Sequence, residues 1–407
     1  METSSALPLQ PDSRQAAAIS IPSSARKPTT LHISDRAALV AAWRSPHSIL
    51  THLNADTTWL LHLPYPEGVA RPPGRSRFNV LLDPWLQGPQ SDGGRWFSIQ
   101  WHVVAPSVQT IEELDRLLGE LEKGTAPSYD GNGPETGPAV ERGAETRNDD
   151  SYVDVVAISH EFTDHCHEAT LRELPSSTPV FAPDKAARLI RSWKHFHNVV
   201  EMPAFLVAGT KDWREALSSA SLPSWVGVGR VVTPGNALYY HSALIVAWSR
   251  STSEETANSG DAIVYSPHGI EPGALSGIQN TGLRTLALLH GLDDVQIWMT
   301  KQLNLGAVNG VSAARECGAK YWVATHDEIK KGGGFVSLLL RRTSWSVADA
   351  VKREGQKRIA KKAEDSEKVN DYEFVALGSG DGLVLVSHGQ ACQALVQDVQ
   401  KEAGHTA

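Results

Sequence analysis

The chain has 407 residues, 41% of them hydrophobic, with 38 basic and 46 acidic side chains for a formal charge of −8. That content suffices for a sizeable core, and the acidic balance argues against general nucleic-acid binding. No apolar run approaches the ~18 residues of a membrane span, and three cysteines (Cys166, Cys317 and Cys392) fit a reducing, cytoplasmic setting rather than a disulfide framework.

In chain order, residues 1–30 are rich in Ser, Pro and Ala without an apolar signal core, and read as a disordered tail. Ser34 to Trp43 reads as a capped helix. Leu50 to Leu61 reads as a strand or hairpin, and Phe78 to Trp85 as a strand ended by Asp83-Pro84. Ile111, Leu114, Leu117, Leu118 and Leu121 recur at helical spacing and predict one amphipathic helix. Residues 127–150 carry almost nothing apolar. They cannot offset their ordering entropy and read as a disordered insertion. The insertion is no domain boundary, because a strand pattern resumes at Val153.

Val153 to Ile158 is an apolar, β-branched run, read as a buried strand. It leads into Ser159-His160-Glu161-Phe162-Thr163-Asp164-His165-Cys166-His167, and Glu168 to Leu174 then reads as a short helix. A turn at a strand end can aim imidazoles and a carboxylate at one point, a set that suits zinc, iron or manganese. Strands at 179–183 and 198–202 flank a helix from Asp184, read as its N-cap, to Trp193. This β-α-β rhythm predicts layered α/β architecture. Strands follow at 225–232 and 237–248, and another at 261–269 ends in the turn carrying His268. Gly282 to Leu289 reads as a helix, Val295 to Met299 as a strand and Gly306 to Cys317 as a helix. Tyr321 to Asp327 reads as a strand whose polar end holds His326. From Ser344 the character changes. Lys352, Arg353, Lys357, Arg358, Lys361 and Lys362 crowd a helix that reads as a solvated face, and Tyr372 to Val386 reads as a hairpin. The expected organisation is a tail (1–30), a main domain (31–345) holding the 127–150 insertion, and a C-terminal helix and hairpin extension (346–407).

His160-Glu161-Phe162-Thr163-Asp164-His165 resembles the H-x-H-x-D-H signature of the metallo-β-lactamase superfamily, with Phe162 where the second His stands. The Asp83-Pro84-Trp85 turn is similar to one in the lactonase-like branch, which would place Asp83 and Trp85 beside the cleft. Asp83 itself reads as a turn-capping carboxylate before a ligand. The resemblance implies an α/β, four-layer αββα sandwich: two sheets face to face, helices outside, metal ligands at strand ends. In the family the first metal takes both His of H-x-H and a later His. The second takes the Asp and His of D-H and a last His, and a carboxylate often bridges the two.

Carried onto this chain, His160 matches and Phe162 does not. Pro234-Gly235 is followed by Asn236 rather than His, so His241 is either a substitute ligand or a packed core residue. His268 stands at the bridging-carboxylate position, and His326 matches the terminal His. The implied metal set is Asp164, His165, His268 and His326, with His160 and His241 as further candidates. One divalent metal per chain is expected, zinc first, with iron and manganese as alternatives. His167, His195 and His197 read as structural, and Cys166 as a buried, inert thiol.

The resemblance implies a metal-dependent hydrolase of a small ester, lactone or phosphodiester, with metal-activated water as nucleophile. Asp164 would share ligation with orienting that water, and His160 would shuttle a proton. The expected partner is a small-molecule substrate, with neither nucleic acid nor membrane. An alternative from another class is a non-catalytic descendant that binds a ligand or partner through the same cleft, since Phe162, Asn236 and His268 all depart from the ligand pattern.

Overall fold

The computed structural model describes residues 27–125, 151–233, 241–251, 259–297, 301–360 and 372–387. Most of the expected tail, the expected insertion and Asn236 lie outside them.

Two mixed sheets pack face to face. The first runs in the order Thr30–His32, Asp381–Leu385, Ser48–His52, Trp59–Pro64, Arg77–Leu82, Val155–Ala157, Val180–Ala182, Val199–Glu201. The second runs Glu373–Val375, Tyr321–Val323, Leu283–His290, Gly260–Ser266, Ala243–Trp248, Val226–Val231, Ala204–Phe205. Strand alternation sorts the side chains into layers. Leu61, Val80 and Val155 meet Val228, Val246, Ile263 and Leu289 in the central core. Leu60, Leu81 and Val156 point outward, to the helices Arg36–Trp43, Ile111–Thr125 and Asp184–Ser192. Ile245, Val264 and Leu288 do the same for Trp213–Leu217 and Ala307–Cys317. The architecture is the four-layer αββα sandwich.

Three sequence expectations are corrected. Leu283–His290 is a strand, not a helix. It pairs in parallel with strands on both sides and is covered on both faces, so its apolar run lacks the period of two that separates strand from helix. Tyr372 to Val386 is no hairpin: Glu373–Val375 pairs with Tyr321–Val323 in the second sheet. Asp381–Leu385 instead inserts between Thr30–His32 and Ser48–His52 in the first sheet. The chain after 345 therefore contributes strands to the sandwich itself. Asp184 is the first helical residue, and Pro183 holds the cap position.

One buried cation fastens the first outer layer. Arg77 is fully buried, and its guanidinium donates to the carbonyls of Ala42 (3.0 Å), Trp43 (2.8 Å), Ser45 (2.7 Å) and His47 (2.6 Å). Those of Trp43, Ser45 and His47 lie at and just beyond the end of Arg36–Trp43, where the helix supplies no further N–H, while the Ala42 carbonyl also takes the Ser45 N–H (3.0 Å). Burial pushes the guanidinium pKa down to about 9, opposed only by Glu122. Arg77→Leu is expected to leave several carbonyls unsatisfied and to cost ~3 kcal/mol or more in urea unfolding. A loss under ~1 kcal/mol would mean that water replaces the guanidinium freely.

Candidate metal centre

The strand ends of both sheets converge on one point. Val155–Ala157 delivers His160, Asp164 and His165; Gly260–Ser266 delivers His268; Tyr321–Val323 delivers His326. The four imidazoles lie close together, with ring centroids 4.6 Å apart for His160 and His268, 4.9 Å for His165 and His268, and 5.1 Å for His326 with each of His165 and His268. All four residues and Asp164 are buried. Two overlapping groups have ligand atoms close enough to hold one ion: His160, His165 and His268, and Asp164, His165 and His326.

The hydrogen bonds assign the protons. His165 Nδ1 donates to Asp83 Oδ2 (2.7 Å), His268 Nδ1 to Asn304 Oδ1 (2.8 Å) and His326 Nδ1 to Asp56 Oδ1 (3.0 Å). Ser159 Oγ gives its one proton to Asp83 and so accepts from His160 Nδ1 (2.8 Å). The Nδ1 atoms of His165, His268 and His326 thus carry their hydrogens outward and leave each Nε2 a lone pair, the arrangement that carboxylate and amide partners impose on metal-binding histidines. His165 Nε2 and His268 Nε2 lie 3.0 Å apart. Two lone pairs at that distance repel unless a metal ion or a proton on one of the nitrogens lies between them. The donor set fits a divalent metal.

Formal charge points the same way. Asp56, Asp83 and Asp164 contact these imidazoles, and the Lys330 ammonium is the cation paired with Asp56 (2.7 Å) and Asp164 (2.8 Å). Three carboxylates against one ammonium leave two negative charges in a dry site, where an uncompensated charge is costly.

Burial raises the Asp164 pKa, but Lys330 first, then His165 and His326, hold it well below the carboxylate range. Burial likewise disfavours a charged His165, yet Asp164 and Asp83 outweigh it and raise its pKa. His268 is pushed well down by burial and by its neighbours His165 and His326. His326 is lowered by burial. At the rim, burial and then Asp164 push the Asp92 carboxyl up to about 6.

Backbone geometry shows how firmly the site is built. Among the described residues, three non-glycine residues have positive φ, and two of them, Asp83 (42°) and His326 (58°), belong here. Such conformations persist only where the surroundings enforce them. Asp83 accepts the Ser159 N–H (2.6 Å), while the His326 N–H donates to the Asp56 carbonyl (2.9 Å). The turn carrying Asp56 also grips the motif through Thr57 Oγ1, which donates to the Asp164 carbonyl (2.6 Å).

Five of the six sequence-derived candidates therefore meet: His160, Asp164, His165, His268 and His326. His241 lies in neither group, and its Nε2 stands 3.1 Å from the Leu303 carbonyl. The Phe162 ring packs 5.9 Å from His268 and 6.1 Å from His160, walling that side with carbon. His167 caps the helix Glu168–Leu171 and His195 bonds the Leu174 carbonyl, both structural, while burial pushes the Cys166 thiol well up. Sequence reasoning missed Asp56, Lys330 and Asn304. For Asp56 a signal existed, the polar run Asn54, Asp56, Thr57 and Thr58 inside an otherwise apolar hairpin. Lys330 beside Lys331 carried none. The small sheet that pairs Ile99–Trp101 with Lys331–Gly333 begins directly after Lys330 and carries exposed Trp96, Phe335 and Leu338 in its flanking turns.

No protein-family profile and no curated protein matches the chain. Among solved structures it is similar to an isothiocyanate hydrolase from Delia radicum gut bacteria, at 14% identity over 83% of this chain and 100% of that one, with a TM-score of 0.45. It is also similar to a possible metal-dependent hydrolase from Veillonella parvula, at 12% identity over 83% and 100%, TM-score 0.46. A third is the metallo-β-lactamase fold protein YhfI from Bacillus subtilis, at 10% over 82% and 98%, TM-score 0.38.

The proton assignment is testable at Asp83. Asp83→Asn offers His165 an amide of the same shape, and Asn tolerates positive φ. The amide is a weaker partner than the carboxylate, and can also present its NH₂ and turn the ring to the wrong tautomer. Metal affinity is expected to fall roughly 10- to 100-fold by chelator competition, with circular dichroism unchanged. An unchanged affinity would separate Asp83 from the metal.

Proposed function

Taking the chain as a protein of the metallo-β-lactamase fold, as its sheet order and strand-end ligands make it, we propose that it is a metal-dependent hydrolase of a small ester, lactone or phosphodiester. The observation that carries this is the 3.0 Å approach of His165 Nε2 to His268 Nε2, with both Nδ1 hydrogens turned outward. His165 would hold one divalent metal with Asp164 and His326, one of the two groups whose donor atoms lie close enough to share an ion, with His268 Nε2 3.0 Å from its own; zinc suits the set, and iron or manganese are compatible with it. When bound, the metal supplies the Lewis acidity that activates water and polarises the scissile carbonyl or phosphoryl group.

The protein's own groups do the rest. Asp83, Asn304 and Asp56 fix the three rings by their outer nitrogens, so little reorganisation is needed at the centre. Asp164 turns Oδ1 toward His165 Nε2 (3.6 Å), while Oδ2 is held by Lys330. Phe162 removes the second His of the usual first site. His160 would then take a proton from the attacking water and return it to the leaving group. The exposed Trp96, Phe335 and Leu338 would offer apolar surface to the substrate's body.

One feature supports a second reading. With His165 raised and His268 lowered, a proton on His165 Nε2 could donate to His268 and satisfy the same contact without metal. The chain would then bind a ligand without turning it over.

The two readings separate on metal content and turnover. Protein loaded with zinc, manganese or iron should keep close to one equivalent and hydrolyse at least one of the three bond types. A chelator should lower that rate on the order of 100-fold or more, and added metal should restore it. His160→Gln should lower kcat roughly 10²- to 10⁴-fold with metal content unchanged. Metal lost in that variant would make His160 a ligand instead. A loaded protein that retains no metal would favour the non-catalytic reading.

A further inference from the structure

We propose that the Lys330 ammonium is the second cation of this centre, standing where a second metal would otherwise neutralise Asp56 and Asp164 and so holding the chain to one metal. This rests on the metal-centre reading above.

Lys330 Nζ lies 2.7 Å from Asp56 Oδ2 and 2.8 Å from Asp164 Oδ2, and its side chain is only 8% exposed. It donates a hydrogen bond to Asp164 and stands 5.4 Å from the centre of the Trp85 ring. Asp56 Oδ2 is buried as well, and the ammonium is its counter-charge. Two carboxylate oxygens turned to one enclosed point make a cation site, and here the chain's own ammonium fills it. The ammonium is too enclosed to reach out to a substrate. Its effect on the centre is twofold: it takes one Asp164 oxygen from any metal, and its charge opposes a further cation nearby. Charge balance agrees. With Lys330 in place, one divalent ion neutralises the three carboxylates; without it, one divalent ion leaves a negative charge over.

A strut and a stand-in cation predict opposite results. If Lys330 only held Asp164 in position, removing it should weaken metal binding. As a stand-in, its removal should strengthen it. Zinc stoichiometry and affinity are measured on the full chain by elemental analysis after dialysis and by titration calorimetry, with circular dichroism as the check on fold. The parent should hold one equivalent. Lys330→Met should take up a second equivalent or bind the first at least about tenfold tighter. Lys330→Arg, which keeps the charge, should stay at one. Equal or weaker zinc binding by folded Lys330→Met overturns the proposal and leaves the single-metal centre standing. A parent that takes up no metal overturns both. Should Lys330→Met fail to fold, Lys330→Gln removes the charge while keeping a hydrogen-bond donor for Asp164 and leaving Asp56 on His326. Folded Lys330→Gln should still bind zinc more tightly than the parent, and zinc binding no tighter than the parent's overturns the proposal.

Discussion

Two imidazole nitrogens face each other across 3.0 Å with their hydrogens on the far side, and the rest of the centre follows from that contact. Apolar burial brings the strand ends together; it cannot by itself hold two lone pairs in a dry pocket. The contact is tolerated because the rings are fixed from behind by Asp83 and Asn304, and because two negative charges remain beside them for a cation to meet. Remove the fixing groups and the rings could turn away; remove the negative surplus and no metal would be drawn in.

That demand explains where the backbone is forced. Asp83 and His326 adopt positive φ at the ends of strands in different sheets. Each is locked by a hydrogen bond to a neighbouring turn, Asp83 to Ser159 and His326 to Asp56. The central core between the sheets supplies the rigidity that such conformations require. The hairpin turn at Asn54 to Thr58 links the halves, bonding the Asp164 backbone on one side and His326 on the other. Fold and site are coupled through polar groups buried at the sheet ends, and the apolar layers give those groups something stiff to stand on.

Much of this was legible in the sequence, for physical reasons. The motif after Val153 to Ile158 announces itself because a β-branched run fixes a strand end and the imidazoles follow at once. His268 and His326 end similar runs. The layered architecture is visible in strands that alternate with helices. Other features were hidden because their signal is not local. Leu283–His290 reads as a helix since burial on both faces erases its alternation. Glu373–Val375 and Asp381–Leu385 lie close in sequence yet belong to different sheets, a choice made by the edges available to them. Lys330 looks like any surface lysine until Asp56, some 270 residues earlier, is brought against it. Asp83 reads as a turn carboxylate in the sequence, and its part in orienting His165 appears only once the turn is placed against the motif.

The central claim is that these histidines converge on one metal through Nε2. X-ray absorption spectroscopy at the edge of the bound metal tests it most directly, on protein loaded with a single equivalent. The account predicts scattering dominated by imidazole, with nitrogen ligands near 2.0–2.1 Å for zinc. An oxygen-only shell, or no metal retained for the measurement, would contradict it.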